Sequence, residues 1–305
     1  MKRIDVIIPV YNEQENIGLL LQEVELQLSA LPYEYDILVV DDGSTDETLN
    51  VLRCMANNSV NISFISLSRN FGHQMALKAG LDKSTADCVI SLDGDFQHPP
   101  SLIPKLLEHW SNGYDVVYTL RKDSNGNTSF FKRKTSNLFY RLMNRLANLD
   151  MEKGSADFRL MDKKVVDVLK GFDEHELFFR GLVKWVGFNQ TGIEYTANER
   201  KGGRSKYTLR KMARFAIQGI TSFSTRPLYF AAYLGMAFSL TSLLYIPYAV
   251  ISHYSGHTVS GWTSIVMIIV FFGGLQLCIL GIIGLYLGKV FMQGKNRPHY
   301  IIKES

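Results

Sequence analysis

The sequence predicts an α/β protein: a Rossmann-like, mostly parallel sheet wrapped by helices, followed by two transmembrane helices. Three observations predict it. Short continuous apolar runs alternate with segments of helical periodicity, the pattern of a parallel sheet covered on both faces. Polar clusters follow three of those runs. Two later stretches, Leu228–Ser252 and Ser264–Gly288, contain no Asp, Glu, Lys or Arg. Each exceeds the roughly 20 helical residues that cross a hydrocarbon core.

Taken in order, "MKRIDVIIPVYNE" starts basic and then apolar. Its apolar part is too short for a signal peptide and ends in Asn12-Glu13, so it reads as a first strand. "NIGLLLQEVELQLSAL" repeats apolar residues at helical spacing, "YDILVVDDGS" is a second buried strand, and "DETLNVLRCMA" a helix after it. "ISFISLS" and "CVISLDGD" read as further strands, separated by a helix through "HQMALKAGLDKS". In such sheets ligands sit beyond the carboxyl ends of the strands. "PVYNE", "DDGSTD" and "DGDFQ" all fall there.

Beyond Asp115 the pattern changes. A basic amphipathic helix at about 129–147 interleaves Phe130, Phe131, Leu138, Phe139, Leu142, Met143 and Leu146 with Lys132, Arg133, Lys134, Arg141 and Arg145. Such a helix lies in a membrane interface or packs on its own domain with solvated lysines; the residues leave both open. A second amphipathic, juxtamembrane helix is expected over 206–227. The domain expectation is therefore a cytoplasmic catalytic region over 1–205, the juxtamembrane helix, a first span over 228–252, an external loop over 253–263, a second span over 264–288, and a cytoplasmic tail over 289–305. Pro247 inside the first span is tolerable where neighbours satisfy freed backbone groups.

The formal net charge of +4 is mild and points to no nucleic-acid partner. Its placement says more. Lys206, Arg210, Lys211, Arg214 and Arg226 precede the first span, Lys289, Lys295, Arg297 and Lys303 follow the second, and the loop between has neither Lys nor Arg. The positive-inside rule then puts both flanks in the cytoplasm, as expected of a multi-pass inner-membrane protein. Cys54, Cys88 and Cys278 form no CxxC pair, which excludes a disulfide framework or zinc site and fits a reducing cytosol.

Asp93, Asp95 and Gln97 are hard oxygen donors of the kind Mg²⁺ or Mn²⁺ accepts. A plain polar turn is the other reading. Their place after a buried strand, facing two more polar clusters, favours the cation. A cation held by carboxylates also binds substrate phosphates and assists a departing diphosphate.

"IIPVYNE", "VVDDGSTDET", "SLDGDFQHPP", "GSADFRLMD" and "ERKGGRSKYTL" occur in that order ahead of the two apolar stretches. The set resembles the family 2 glycosyltransferases of GT-A fold that load a sugar onto a polyprenyl phosphate, such as bacterial undecaprenyl-phosphate (bactoprenol) glucosyltransferases and dolichyl-phosphate mannose synthases. The resemblance covers essentially the full chain. It implies that Pro9, Tyr11, Glu13, Val40 and Asp42 bind the donor nucleotide, with Asp93 and Gly94 facing donor sugar and diphosphate. Strand-to-helix turns capped by Ser44 or Asp46 are the plainer reading of the first two clusters, and both can hold. The resemblance further implies Asp93, Asp95 and Gln97 as metal ligands and Asp157, with Asp93, as catalytic. Asp157 would orient sugar or acceptor, because a phosphate acceptor is already anionic at neutral pH and needs little from a base. Gly94 stands where the family often has Ala, a change expected to matter little.

Arg200 and Lys206 are implied in donor diphosphate binding and, with Arg204, Ser205 and Arg180, in acceptor-phosphate binding; Arg121 is a looser candidate. Juxtamembrane charge meeting anionic lipid is the plainer account of the first group. The implied activity is metal-dependent, inverting transfer of a hexose, glucose from UDP-glucose being favoured, to a polyprenyl phosphate such as undecaprenyl phosphate. GDP-mannose or a UDP-aminoarabinose derivative is the alternative donor. A processive polysaccharide synthase is disfavoured by the lack of a QxxRW motif, and a non-catalytic flippase partner by the presence of Asp93, Asp95 and Asp157. Family likeness also implies a homotetramer.

Overall fold

The computed structural model describes residues 1–122, 152, 154–174, 177–196, 219–255 and 261–305. The amphipathic helix expected at 129–147, most of the juxtamembrane helix, and Arg200, Arg204, Ser205 and Lys206 lie outside the described residues. The chain divides into two units, Met1–Gly219 with Arg297–Ser305, and Ile220–Asn296.

The first unit is built on eight strands, among the described residues: β1 (Arg3–Val10), β2 (Glu34–Asp41), β3 (Ile62–Leu67), β4 (Cys88–Ser91), β5 (Val116–Lys122), β6 (Ser155–Asp162), β7 (Gln190–Thr196) and β8 (Ile302–Glu304). Their order is β7-β5-β6-β4-β1-β2-β3-β8. β1 runs parallel to β2 and β4, β2 to β3, and β5 to β7, while β6 and β8 are antiparallel to their neighbours. This is the mostly parallel Rossmann-like sheet expected. β1 continues into β2 and β3 on one side, whereas β4 lies on the other, so the strand order reverses at β1. A crevice opens at such a reversal, beyond the carboxyl ends of the strands.

The strands form because their apolar runs have two faces to bury: Ile4, Val6, Ile7 and Ile8 of β1 are fully buried. The helices α1 (Ile17–Ser29), α2 (Thr48–Asn58), α3 (His73–Lys83) and α4 (Ile103–Ser111) cover the sheet. α1 buries Ile17, Leu20, Leu21, Val24 and Leu28, one stripe at helical spacing. Fully burying a side chain of this kind contributes about 1.5–3 kcal/mol, so the stripe alone explains why this segment docks. α5 (Lys163–Lys170) and α6 (Phe179–Trp185) follow β6. α5 begins at Asp162, whose side chain accepts from the Lys164 amide, the usual N-cap bond.

In the second unit, α7 (Arg226–Tyr254, 29 residues) and α8 (Trp262–Gln293, 32 residues) are helical over the residues of the two expected spans. Phe238 of α7 meets Phe271 and Phe272 of α8 edge-on, with ring centroids 6.0 and 5.4 Å apart. Among the described residues, Phe271–Gln293 is long and apolar enough to cross a membrane.

Candidate active site

The site gathers where β1 and β4 end. β1 leads into a loop in which Asn12 takes a left-handed conformation (φ 54°), one that Asn tolerates better than most residues. There Asn12 Oδ1 accepts from the Thr45 amide (2.8 Å), while the Asn12 backbone amide donates to Ser44 Oγ (2.9 Å). Glu13 donates its amide to Thr48 Oγ1 (2.9 Å). Asp46 Oδ1 accepts from the Thr48 amide and hydroxyl at 3.0 and 2.6 Å. Asp46 thus does the capping work expected of it, and Ser44 ties the two loops together instead.

Of the residues assigned to the donor nucleotide, Pro9 and Val40 are paired in register and buried, while Tyr11 is exposed. Asp42 is buried and accepts from the Phe71 and Gly72 amides at 2.7 and 2.9 Å. Burial raises its carboxyl above the usual carboxylate range, and those two amides oppose the shift. Asp42 therefore builds the site by holding the loop between β3 and α3, and a carboxylate retains further acceptor capacity for a ligand.

Beyond β4 the chain reaches Asp93. Gly94 lies against β1: a Cβ there would stand 2.7 Å from Val10 Cγ1. Val10 is 3% exposed, so an alanine requires a buried neighbour to move. The expectation that Ala would matter little here therefore meets a packing constraint in this chain. Phe96 is left-handed (φ 58°), a conformation a bulky residue takes only under constraint. Its ring packs against the core. The turn brings the Gln97 amide 3.2 Å from Asp95 Oδ1, and the Gln97 side-chain amide also donates to Asp95. Arg121 Nη1 donates to Gln97 Oε1 (3.0 Å), which brings that loosely assigned residue into the loop.

Asp93 faces two histidines. His73, the first residue of α3, places Nε2 3.4 Å from Asp93 Oδ1 and 3.9 Å from Asp157 Oδ2. His98 Nε2 lies 3.2 Å from Asp93 Oδ2, and the Tyr195 hydroxyl 2.6 Å from His98 Nδ1. The bond network assigns the tautomer: the hydroxyl donates to Nδ1, leaving Nε2 to donate to the carboxylate. His98 and Tyr195 are both buried, and the His98 ring is wedged between Phe158 and Tyr195. Burial pushes the Tyr195 hydroxyl up to about 12, which keeps it a donor at neutral pH.

Asp157 sits on β6, with its side chain 8% exposed. Arg180 of α6 grips both carboxylate oxygens, Nε to Oδ1 at 2.9 Å and Nη2 to Oδ2 at 2.7 Å. Arg159, also buried, adds a contact at 3.3 Å to Oδ1. Burial alone would raise the Asp157 carboxyl, but the Arg180 and Arg159 guanidiniums outweigh it and hold it well below the usual carboxylate range. A carboxylate so held is a poor proton acceptor and a good fixed negative charge. Arg180, assigned to acceptor phosphate, thus also pairs with Asp157.

The structure brings Asp93, Asp95, Gln97, Asp157, Arg121 and Arg180 into one neighbourhood. Sequence reasoning missed His73, His98, Arg159 and Tyr195. His98 lies within "SLDGDFQHPP" and Arg159 within "GSADFRL", so proximity to motif carboxylates was the available signal; Tyr195 had none. The oxygen donors of Asp93, Asp95 and Gln97 suit a hard divalent cation. His73, Asp93 and Asp157 also offer ligand atoms within 4.8 Å of one another.

The family pattern described as glycosyl transferase family 2 matches residues 5–169. The uncharacterized glycosyltransferase YkcC of Bacillus subtilis (strain 168) is 40% identical over 98% of this chain and 93% of its own length. The SfII prophage-derived bactoprenol glucosyl transferase of Shigella flexneri is 38% identical over 99% of this chain and 98% of its own. The prophage bactoprenol glucosyl transferase homolog of Escherichia coli (strain K12) is 36% identical over 99% and 98%. Among solved structures, a glucosyl-3-phosphoglycerate synthase from Mycobacterium tuberculosis is 16% identical over 72% of this chain and 76% of its own, with a TM-score of 0.48. That likeness is too distant to argue from.

Proposed function

The chain belongs to glycosyl transferase family 2, and from that premise we propose that it moves a hexose from a nucleotide sugar to a polyprenyl phosphate. UDP-glucose and undecaprenyl phosphate are the favoured pair, in keeping with the names of the bactoprenol glucosyl transferases it matches along nearly its whole length. The observation that carries the reading is the pairing of two differently treated carboxylates at the β1–β4 crevice. Asp157 is held ionised by guanidiniums, whereas Asp93 faces imidazoles and the Asp95–Gln97 loop.

Asp93, Asp95 and Gln97 would hold Mg²⁺ or Mn²⁺, with His73 beside them. When bound, such a cation neutralises charge on a diphosphate leaving group. The chain's own residues do the rest. Tyr195 and His98 orient the Asp93 carboxylate. The loop carrying Asp42 and the loop before α3 frame the nucleotide. Asp157, fixed by Arg180, presents negative charge to the donor sugar and stabilises positive charge developing at the anomeric carbon. An oxygen of the acceptor phosphate attacks that carbon as the bond to the nucleoside diphosphate breaks, inverting the configuration. No proton has to leave the acceptor, which agrees with a site whose acidic residue is held ionised. Holding two charged reactants in register supplies much of the rate.

The second unit would keep the site at the bilayer surface. Exposed Tyr229, Phe230 and Met236 on α7, and Ile269, Leu277 and Leu287 on α8, favour lipid as the solvent of both helices. β1 and β8 lie in one sheet although both helices separate them in the chain. An even number of crossings, hence two spans with both flanks on one side, fits that connection.

The test is transfer of labelled sugar by the purified full chain from UDP-glucose, GDP-mannose and other nucleotide sugars to defined polyprenyl phosphates. Label is expected in the lipid phase from UDP-glucose, abolished by EDTA and by Asp95→Ala. Label in a water-soluble polymer, or full activity of Asp95→Ala in EDTA, would overturn the reading.

A further inference from the structure

The residues that follow α8 return to the first unit. Leu67 of β3 pairs with Ile302, Ser66 pairs with Glu304, and the Ser68 amide donates to the Ile301 carbonyl at 2.8 Å. Arg53 of α2 grips Glu304 through Nε and Nη2 at 2.9 and 2.6 Å. The Tyr300 hydroxyl donates to Asp82 Oδ2 in the last turn of α3 (3.0 Å), and His299 lies 2.8 Å from Asp173.

The segment gripped this way is the one that builds the donor side of the site. Directly after Ser68 the chain runs through Arg69 and Asn70 to Phe71 and Gly72, whose amides hold Asp42. Gly43 packs backbone to backbone on this loop: at φ 68°, a Cβ there would stand 2.5 Å from the Arg69 carbonyl carbon. The next residue, His73, faces Asp93 and Asp157. α3 is therefore tied near its end by Tyr300 and at its start by a loop continuous with the strand that β8 pairs.

We propose that β8 and the residues leading into it are a positioning element of the donor site: they fix the Ser68–Gly72 loop and through it Asp42 and His73. The proposal rests on the reading that this crevice takes a nucleoside diphosphate sugar. No tail residue is assigned to the substrates. Their effect reaches the site through backbone hydrogen bonds, each contributing about 0.5–1.5 kcal/mol net.

The experiment removes residues 301–305 from the full chain in lipid nanodiscs. UDP affinity, donor and acceptor KM, kcat, and hydrogen exchange of the amides at 68–72 are then measured. Loss of one or two such bonds corresponds to about a tenfold change. UDP binding should weaken and donor KM rise by about that factor, and exchange at 68–72 quicken to match. kcat, acceptor KM and exchange in β1 and β2 should stay as in the parent. Ile302→Pro, which interrupts the pairing with Leu67, is the milder variant and should show the same split at smaller amplitude. Unchanged exchange at 68–72, or faster exchange with an unchanged donor KM, overturns the proposal. Loss of protection throughout β1 and β2 in both variants also overturns it, by making the strand a general support of the fold. If the parent chain binds neither UDP nor GDP, the donor reading fails, and exchange at 68–72 decides on its own whether β8 holds the loop.

Discussion

Replacing Arg180 by methionine tests the electrostatic design of the site most directly. Arg180→Met keeps a long side chain and removes both bonds to Asp157, at 2.9 and 2.7 Å. A hydrogen bond to a charged group contributes roughly 1.5–3 kcal/mol, so the pair is bounded at about 3–6 kcal/mol. Two facts lower that figure. The Arg180 side chain is 32% exposed, so solvent screens part of the attraction, and Arg159 still contacts Asp157. A loss of about 2–3 kcal/mol remains. For a unit of this size that lowers the melting temperature by about 4–12 °C. The pH dependence has a definite sign. Asp157 is held below its ordinary range in the folded chain. The stabilisation is therefore complete above the unfolded value of about 3.9, and it is lost as pH falls through the depressed folded value. The gap between parent and variant should be full at neutral pH and should narrow below about pH 4. Thermal unfolding followed by tryptophan fluorescence between pH 7 and pH 3 measures it. Equal melting temperatures at pH 7 would refute the account. So would a raised acceptor KM with kcat intact, which would make Arg180 a phosphate ligand and not the partner of Asp157.

Two more perturbations address the Asp93–Gln97 loop. Gly94→Ala should cost about 1–3 kcal/mol through overpacking against Val10. Adding Val10→Ala should recover part of that loss in a double-mutant cycle read by urea unfolding, and additive losses would show that the close approach does not matter. Tyr195→Phe leaves His98 Nδ1 without its hydroxyl partner. It should weaken Mn²⁺ binding, titrated by electron paramagnetic resonance, by about tenfold, as loss of an orienting partner does at metal sites. Unchanged Mn²⁺ affinity would separate this chain of bonds from the cation.

The four inner strands were legible because β1 to β4 are apolar runs with no polar face to misplace them. β8 was not, since three residues after a long apolar pair carry no local sign of which sheet edge they join. At the site, Asp93 and Asp157 stood out as carboxylates in turn-like or strand-leading motifs. Their pairings did not, because Arg180 reaches Asp157 from a helix 23 positions on and His73 reaches Asp93 from a different crossover. Asp42 shows the opposite limit. Its motif marked it as a ligand-binding residue, and the fold adds a task the motif did not reveal, since both its oxygens also accept from backbone amides. Sequence spacing points to where a charge is placed; the fold decides which neighbour answers it.

The closing of the sheet by β8 also bears on biogenesis. The ribosome makes residues 302–304 after both apolar helices, so the outer side of β3 stays uncovered until those helices have been synthesised. An uncovered strand edge invites pairing with other chains. A fragment ending before α7 would keep that hazard permanently, whereas a chain that reaches residue 304 covers the edge with its own strand.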